Sequence, residues 1–198
     1  MPSAIVFDLF TDKIVAEFTG RPKFADDSYE IVMRMAEFYN ATILYENDKK
    51  GMFRYFDYRN KLYLLADTPQ HLKDMEIVKG GGYGNKAKGL NSSKIVNAYG
   101  RRLYKEWLLS VSQNQDIDLD GSQKGEKLNM HEVRSICLIE ETIQWNIDGN
   151  FDRVSAMGML MIYRAEMLKY LEDTKENANN PNVTGLAVDS YFTENYGF

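Results

Sequence analysis

The feature that most constrains the fold is an ordered run of short apolar segments in the N-terminal third of the chain. Residues 4–10 and 14–18 are extended apolar segments joined by turn-forming residues, which predicts a β-hairpin. Further along, residues 42–45 and 62–65 read as short buried strands on either side of a helix over residues 49–59. A strand, a helix and a strand in this order predict a parallel pair with a right-handed crossover. We therefore expect an α/β fold in which helices flank a mixed sheet.

Apolar residues that recur at helical spacing predict three longer helices. The first covers residues 25–40, and its expected buried stripe is Ser28, Ile31, Val32, Met35, Phe38 and Tyr39. The second covers residues 92–111 with Ser92 as its N-cap, and the third covers residues 151–173. With 198 residues, 44% of them hydrophobic, the chain can bury one core. We expect one domain over residues 1–173 and a polar tail over residues 174–198.

The composition excludes several classes of protein. The sequence contains no run of about 18 apolar residues, so it predicts no membrane span. No basic segment precedes the first apolar run, which argues against a secretory signal peptide. The single cysteine, Cys137, excludes a disulfide framework and is interpreted as a buried structural thiol in a reducing compartment. We therefore expect a protein that is not secreted.

The charge is distributed unevenly along the chain. The net charge is −5, yet no acidic residue lies between Glu76 and Glu106. That window contains seven of the 24 basic residues: Lys79, Lys86, Lys88, Lys94, Arg101, Arg102 and Lys105. A basic segment on an acidic body favours a localised contact with a polyanion. The candidate phosphate-binding residues are Lys86, Lys88, Lys94, Arg101 and Arg102. The alternative is a solvated loop and helix face.

Other motifs argue against several familiar sites. Residues 116–127 open like an EF-hand loop, but Lys127 occupies the twelfth position, where a bidentate Glu is required. The glycine cluster at residues 80–84 is not followed by the Gly-Lys-Ser/Thr of a phosphate loop. The chain has only two histidines, His71 and His131, which excludes a histidine-rich metal site.

Three carboxylates stand out by position. Glu46 comes directly after a predicted buried strand, and sites in open α/β sheets collect at the carboxyl ends of strands. Asp152 lies in the first turn of the predicted last helix, with Asp148 four residues earlier. An acid at a helix start also serves as a dipole partner, so both interpretations of Asp152 stay open.

Residues 4–22, 44–51 and 148–161 form three blocks that contain Asp8, Glu46 and Asp152, respectively. In this order they resemble the C-terminal nuclease domain of the large terminase subunit of tailed bacteriophages. The resemblance covers the chain from about residue 4 to about residue 170. It implies an RNase H-like fold and a metal-dependent endonuclease that cuts concatemeric viral DNA during genome packaging in the host cytoplasm.

The resemblance also implies roles for single residues. Glu46 corresponds to the second metal-binding acid of the family and Asp152 to the third. The first acid lies on a central strand upstream of the hairpin, so we expect a domain that lacks this strand. Asp8 is at a position that resembles a non-catalytic one, and Asp8 and Asp148 are the weaker candidate ligands. The sequence contains no Walker A motif, so the family's ATPase domain is expected to be missing from what reads as a fragment or split-gene product.

The implied cofactor is a pair of Mg²⁺ or Mn²⁺ ions. Two divalent ions about 4 Å apart can clamp the attacking and leaving oxygens of a phosphodiester, and carboxylate oxygens suit both metals. For this chemistry, Glu46 and Asp152 must lie close together. The resemblance implies double-stranded DNA, the portal and the small terminase subunit as partners.

Two further hypotheses stay open beside the endonuclease. One is a DNA-binding or scaffold fragment of the packaging motor that is inactive because it lacks the first acid. The other is an unrelated RNase H-like nuclease or resolvase. Because a counterpart of the first acid is missing, we expect little or no cleavage by this chain alone.

Overall fold

The computed structural model describes residues 2–47, 50–78, 87–113, 125–146 and 149–178. The chain divides into two compact units, Met1–Tyr163 and Arg164–Phe198. The described residues form a mixed α/β structure with one two-stranded antiparallel sheet and six α-helices. Within these ranges, no helix combines the length and the apolar character needed to cross a membrane.

The predicted β-hairpin is confirmed. Strand β1 (Ser3–Asp8) pairs antiparallel with strand β2 (Lys13–Thr19), with an irregularity in register after Val6. Asp12 in the connecting turn is buried and has a φ of 55°, a left-handed conformation that Asp tolerates better than most residues. Its Oδ2 accepts a hydrogen bond from Nε1 of Trp107 at 2.9 Å. The turn is therefore tied to a residue 95 positions away in the chain.

The helices predicted over residues 25–40 and 49–59 are also confirmed. Helix α1 (Ala25–Tyr39) ends at Asn40, whose left-handed conformation is a common helix stop. Helix α2 (Gly51–Tyr58) follows, and a single 3₁₀ turn (Leu62–Leu64) comes after it. A short helix, α3 (Gln70–Asp74), completes this half of the chain.

Helix α4 (Lys94–Leu109) agrees with the predicted second long helix except at its cap. The hydroxyl of Ser93 accepts a hydrogen bond from the backbone N–H of Val96 at 3.2 Å. The N-cap is therefore Ser93, and the prediction of Ser92 is wrong by one residue. Of Ser92 and Ser93, it is the Ser93 hydroxyl that satisfies a free N–H of the first helical turn.

The C-terminal part of the described chain is helical. A 3₁₀ helix (Asn129–Glu132) precedes helix α5 (Ile136–Gln144). Helix α6 (Asp152–Ala178) begins at the predicted place and continues beyond residue 173, where we placed its end.

The parallel strand pair expected at residues 42–45 and 62–65 is wrong. Ile43 and Leu65 form one isolated parallel bridge, in which Ile43 N donates to Leu64 O at 2.7 Å and Ala66 N donates to Ile43 O at 2.8 Å. The residues before Leu65 fold into the 3₁₀ turn, whose own hydrogen bonds use backbone groups that a longer ladder would need. Parallel pairing is present, but it stops after one residue pair.

The buried stripe predicted for α1 is confirmed in part. Ser28 is buried and Ile31, Val32 and Met35 are half-buried, whereas Phe38 is 82% and Tyr39 40% exposed. The stripe missed Met33 and Ala36, which are buried in a cluster with Phe56 of α2. Cys137 is exposed, which corrects its interpretation as a buried structural thiol.

Helices α4 and α6 meet at a pair of glycines. A Cβ added to Gly100 would lie 2.8 Å from the backbone oxygen of Gly158, so only glycine permits this approach. On one side of the crossing, Tyr104 and Trp107 pack with Val154 and Met157 in a buried cluster. On the other side lie residues of a second cluster: Leu72, Leu90, Val96 and Ile162. The two helices therefore run antiparallel in their contact region.

Candidate functional site

Glu46 lies where an extended segment ends, as predicted, although the neighbouring strand is reduced to bridges. It follows the buried residue Tyr45 and forms a parallel bridge with Leu90. Leu90 N donates to Tyr45 O at 2.9 Å, and Asn47 N donates to Leu90 O at 3.0 Å. The side chain of Glu46 is exposed. The backbone around this exposed residue is therefore fixed by the hydrogen bonds of the bridge.

Asp152 is the first residue of α6 and is half-buried. An acid in the first turn interacts favourably with the helix dipole. The next residue, Arg153, donates from its backbone N–H to Glu141 Oε2 at 2.9 Å. Asp152 is thus placed at a helix start that is firmly connected to α5.

Glu46 and Asp152 are connected to α6 by different routes. Glu46 is bridged to Leu90, which belongs to the cluster of Ile162, whereas Asp152 begins the helix. A shared two-metal site needs carboxylates that reach ions about 4 Å apart, so the proximity of the two acids stays a prediction.

Asp8 has a local structural role. Its Oδ2 accepts from Thr11 Oγ1 at 2.7 Å and its Oδ1 accepts from Phe10 N at 3.0 Å. The hydrogen bond from Thr11, followed by that from Phe10, lowers the pKa of Asp8. The strand that carries Asp8 pairs with β2, whereas the described neighbours of the segment at Ile43 are at residues 64–66. Asp8 is thus a turn residue of the hairpin.

Asp148 lies outside the described residues. Among the residues that are described, no group of three or more His, Cys, Asp and Glu side chains could hold a metal ion.

The basic window divides into two parts with different surroundings. Lys94, Arg101 and Lys105 lie on α4 within about 20° of one line along the helix, because their spacings are close to whole turns. Lys94 and Lys105 are exposed, and Arg101 is half-buried. We call these three residues the basic line of α4. It is about 16 Å long at the rise of an α-helix.

Two aromatic rings orient the guanidinium groups of α4. The Arg101 guanidinium lies 4.7 Å from the ring centroid of Trp145, and that of Arg102 lies 5.1 Å from the centroid of Tyr99. Arg102 is also 3.6 Å from Glu106, and both side chains are well exposed, so this pair contributes little. A stacked guanidinium keeps its edge N–H groups available for a phosphate.

The side chain of Lys88 makes a hydrogen bond and an ion pair within the protein. Its Nζ donates to Leu65 O at 2.7 Å and lies 3.0 Å from Asp67 Oδ1. These contacts connect two of the bridge-forming segments, so the assignment of Lys88 to the phosphate-binding set is not supported by its surroundings. Lys86, also in that set, lies outside the described residues.

Sequence reasoning missed an ion-pair network at the start of α6. Arg153 donates from Nε to Glu17 Oε1 at 2.6 Å and from Nη1 to Glu141 Oε1 at 2.6 Å. All three side chains are largely buried. An Arg directly after a helix-starting acid was visible in the sequence, but its partner Glu17 is 136 positions away. The network joins β2, α5 and α6 next to Asp152.

Searches of protein-family models, curated proteins and solved structures found no match to this chain.

Proposed function

We propose that this chain is part of an RNase H-like nuclease domain of a tailed-phage terminase large subunit, and that it binds duplex DNA through the basic line of α4. The resemblance of the three sequence blocks supports the family. The basic line, Lys94, Arg101 and Lys105, supports the DNA contact and is the observation that carries the proposal. The portal, the small terminase subunit and the host cytoplasm follow from the family.

The charge pattern of α4 favours phosphates over an acidic protein surface. Glu106 is the only acidic residue of the helix, and it lies about 100° around the helix from Lys105, away from the basic line. A neutralised phosphate releases condensed counterions, so a row of cations binds duplex DNA of any sequence. Contacts of this kind position a protein on DNA without reading bases.

For the complete domain, we propose hydrolysis that depends on Mg²⁺ or Mn²⁺ with Glu46 and Asp152 among the ligands. The proximity that a shared metal site requires of these two acids is a prediction of the resemblance. Because a counterpart of the family's first acid is missing, for the chain by itself we favour the second hypothesis, a DNA-binding portion without activity of its own.

The DNA contact is tested by reversing two charges of the basic line. Lys94→Glu/Lys105→Glu should weaken binding of a labelled duplex about 100-fold in fluorescence anisotropy at low salt, for every sequence alike. Lys94→Glu also adds an acid to the first turn of α4, which preserves the helix. Arg21→Glu/Lys23→Glu, an equal change in charge at two exposed residues before α1, is the matched control. Equal losses in both variants would assign the effect to net charge and refute the proposal.

The catalytic assignment is tested with supercoiled plasmid and Mn²⁺. This chain should bind the plasmid but leave it intact, and a version extended upstream should cut it. Glu46→Ala and Asp152→Ala should each abolish cutting by the extended version while binding persists. Robust cutting by the present chain that is lost in both variants would show that the two acids do share a site.

A further inference from the structure

A second candidate binding surface lies at α2, and none of its described lining residues belongs to α4. An open cleft of about 590 Å³ is lined by Asp26, Gly51, Arg54, Tyr55, Tyr58 and Arg59. Two guanidinium groups and two phenol rings lie there, and Asp26 is the one acidic residue among the described residues of the lining. This described part of the lining is therefore aromatic and net positive.

One wall of the cleft is held in place by Glu30 of α1. Glu30 Oε2 accepts from Tyr55 Oη at 2.6 Å and from Arg59 Nη2 at 3.0 Å. Arg34 Nε donates to the other oxygen, Oε1, at 2.7 Å. The hydrogen bond from Tyr55, followed by that from Arg34, lowers the pKa of Glu30. The carboxylate therefore stays charged and fixes the ring of Tyr55 and the head group of Arg59.

The other wall is open to solvent. Tyr58 is 84% exposed, so the face of its ring is accessible to a ligand. Arg54 is exposed and lies one turn before Tyr58, on the same face of α2. Arg59 donates from Nη2 to Glu30 and Tyr55, and a guanidinium has five N–H donors in all.

We propose that this cleft binds one nucleotide unit of single-stranded nucleic acid. The exposed ring of Tyr58 supplies a stacking platform for a base, and Arg54 and Arg59 bind the adjoining phosphates. Stacking on an aromatic side chain is tolerant of sequence, because every base has a π face. An acidic peptide would use the arginines but not the exposed ring, so single-stranded nucleic acid fits the whole lining better.

The lining of the cleft and the basic line of α4 share no residue, so each can be mutated without changing the other. A labelled oligothymidylate of about twelve nucleotides should bind the full chain, and Arg54→Ala/Tyr58→Ala should weaken that binding at least about tenfold. The same variant should bind duplex DNA as well as the native chain does. Conversely, Lys94→Glu/Lys105→Glu should retain the larger part of its affinity for the oligonucleotide at moderate salt.

The matched control is Lys61→Ala/Tyr63→Ala. Tyr63 is 67% exposed and Lys61 Nζ lies 5.6 Å from its ring centroid, yet neither residue lines the cleft. The control should leave oligonucleotide binding unchanged, and circular dichroism should show that both double variants remain folded. Equal losses in the two variants, no loss in the cleft variant, or no binding by the native chain would overturn the proposal. Tight binding of free thymidine monophosphate with none of the oligonucleotide would also overturn it.

Discussion

The two faces of α4 have different roles, because one face packs inside the protein and the other is exposed and basic. The inward face carries Gly100 and Trp107, which pack against α6 and the hairpin turn at distances that allow almost no change. The outward face carries the basic line, with Lys94 and Lys105 exposed. The inward residues contact segments far along the chain, whereas Lys94 and Lys105 on the outward face are exposed. We therefore expect inward changes to alter stability and outward changes to alter binding.

Gly100→Ala should give the largest loss of stability among the changes considered below. The added Cβ would lie 2.8 Å from Gly158 O and 2.9 Å from Gly158 C, which are backbone atoms that cannot move aside cheaply. We expect the free energy of unfolding to fall by about 2 kcal/mol in urea titrations, despite the better helix propensity of Ala. Ala98→Ser at an exposed position of the same helix should change it by no more than about 0.5 kcal/mol. Native stability of Gly100→Ala would show that the helix crossing is looser than described.

Glu132 tests whether a charge that is paired within the protein contributes to stability, in contrast to the exposed charges of α4. Its side chain is 7% exposed, 2.9 Å from Lys127 Nζ and 3.4 Å from Lys13 Nζ. The hydrogen bond from Lys127 lowers the pKa of Glu132 in the folded state. The stabilisation is therefore present above the ordinary Glu pKa and is lost as the pH falls through the folded value.

Glu132→Gln should lower the free energy of unfolding by about 1.5 kcal/mol at neutral pH and less in acid. Urea titrations at a series of pH values measure this difference, with Glu126→Gln at an exposed position as the control. A difference that is the same at all pH values would contradict the ion-pair explanation.

Lys88→Met tests whether Lys88 contributes to stability whereas Lys94 contributes to DNA binding. Lys88 donates to Leu65 O and pairs with Asp67, so its loss should cost about 1 kcal/mol of stability. Its removal should leave duplex affinity within about twofold of the native value, whereas Lys94→Met should weaken binding and leave stability unchanged. A Lys88 variant that weakens DNA binding as much as Lys94→Met would return this residue to the DNA-contacting set.

Tyr45→Phe should have the smallest effect, and of opposite sign. The hydroxyl of Tyr45 is buried and has no hydrogen-bond partner among the described residues, so its removal should raise stability by up to about 1 kcal/mol. Burial raises the pKa of Tyr45 to about 12. The native chain should therefore lose stability as the pH rises from the ordinary tyrosine pKa through that value, and Tyr45→Phe should lose less.

Tyr104→Phe is the matched control, because the hydroxyl of Tyr104 has a partner in Thr142 Oγ1 at 3.1 Å. It should lower stability, and equal responses of the two tyrosine variants would contradict the difference between a bonded and an unbonded hydroxyl.

Sequence patterns correctly predicted the elements that are determined by consecutive residues. The hairpin and the end of α1 at Asn40 are encoded in consecutive residues, through alternation and a left-handed cap. The parallel strand pair was overestimated, because four apolar residues in a row do not distinguish a strand from the 3₁₀ turn that forms at Leu62–Leu64.

Contacts between distant segments were not visible in the sequence. Asp12 was read only as a turn residue, and nothing near it in the sequence indicates its bond to Trp107. Lys88 and Lys94 look alike in the sequence, yet only the fold places Leu65 O against the first of them. Whether an acid or a cation faces solvent depends on contacts between distant segments, which spacing along the chain does not reveal.

The most direct test of the account is the salt dependence of duplex binding. Three phosphate contacts from Lys94, Arg101 and Lys105 predict a slope of about −2.7 for the logarithm of the association constant against the logarithm of salt concentration. Lys94→Glu/Lys105→Glu should reduce its magnitude by about 1.8, and Arg21→Glu/Lys23→Glu should leave it nearly unchanged. An unchanged slope in the α4 variant would contradict the claim that this helix face binds DNA.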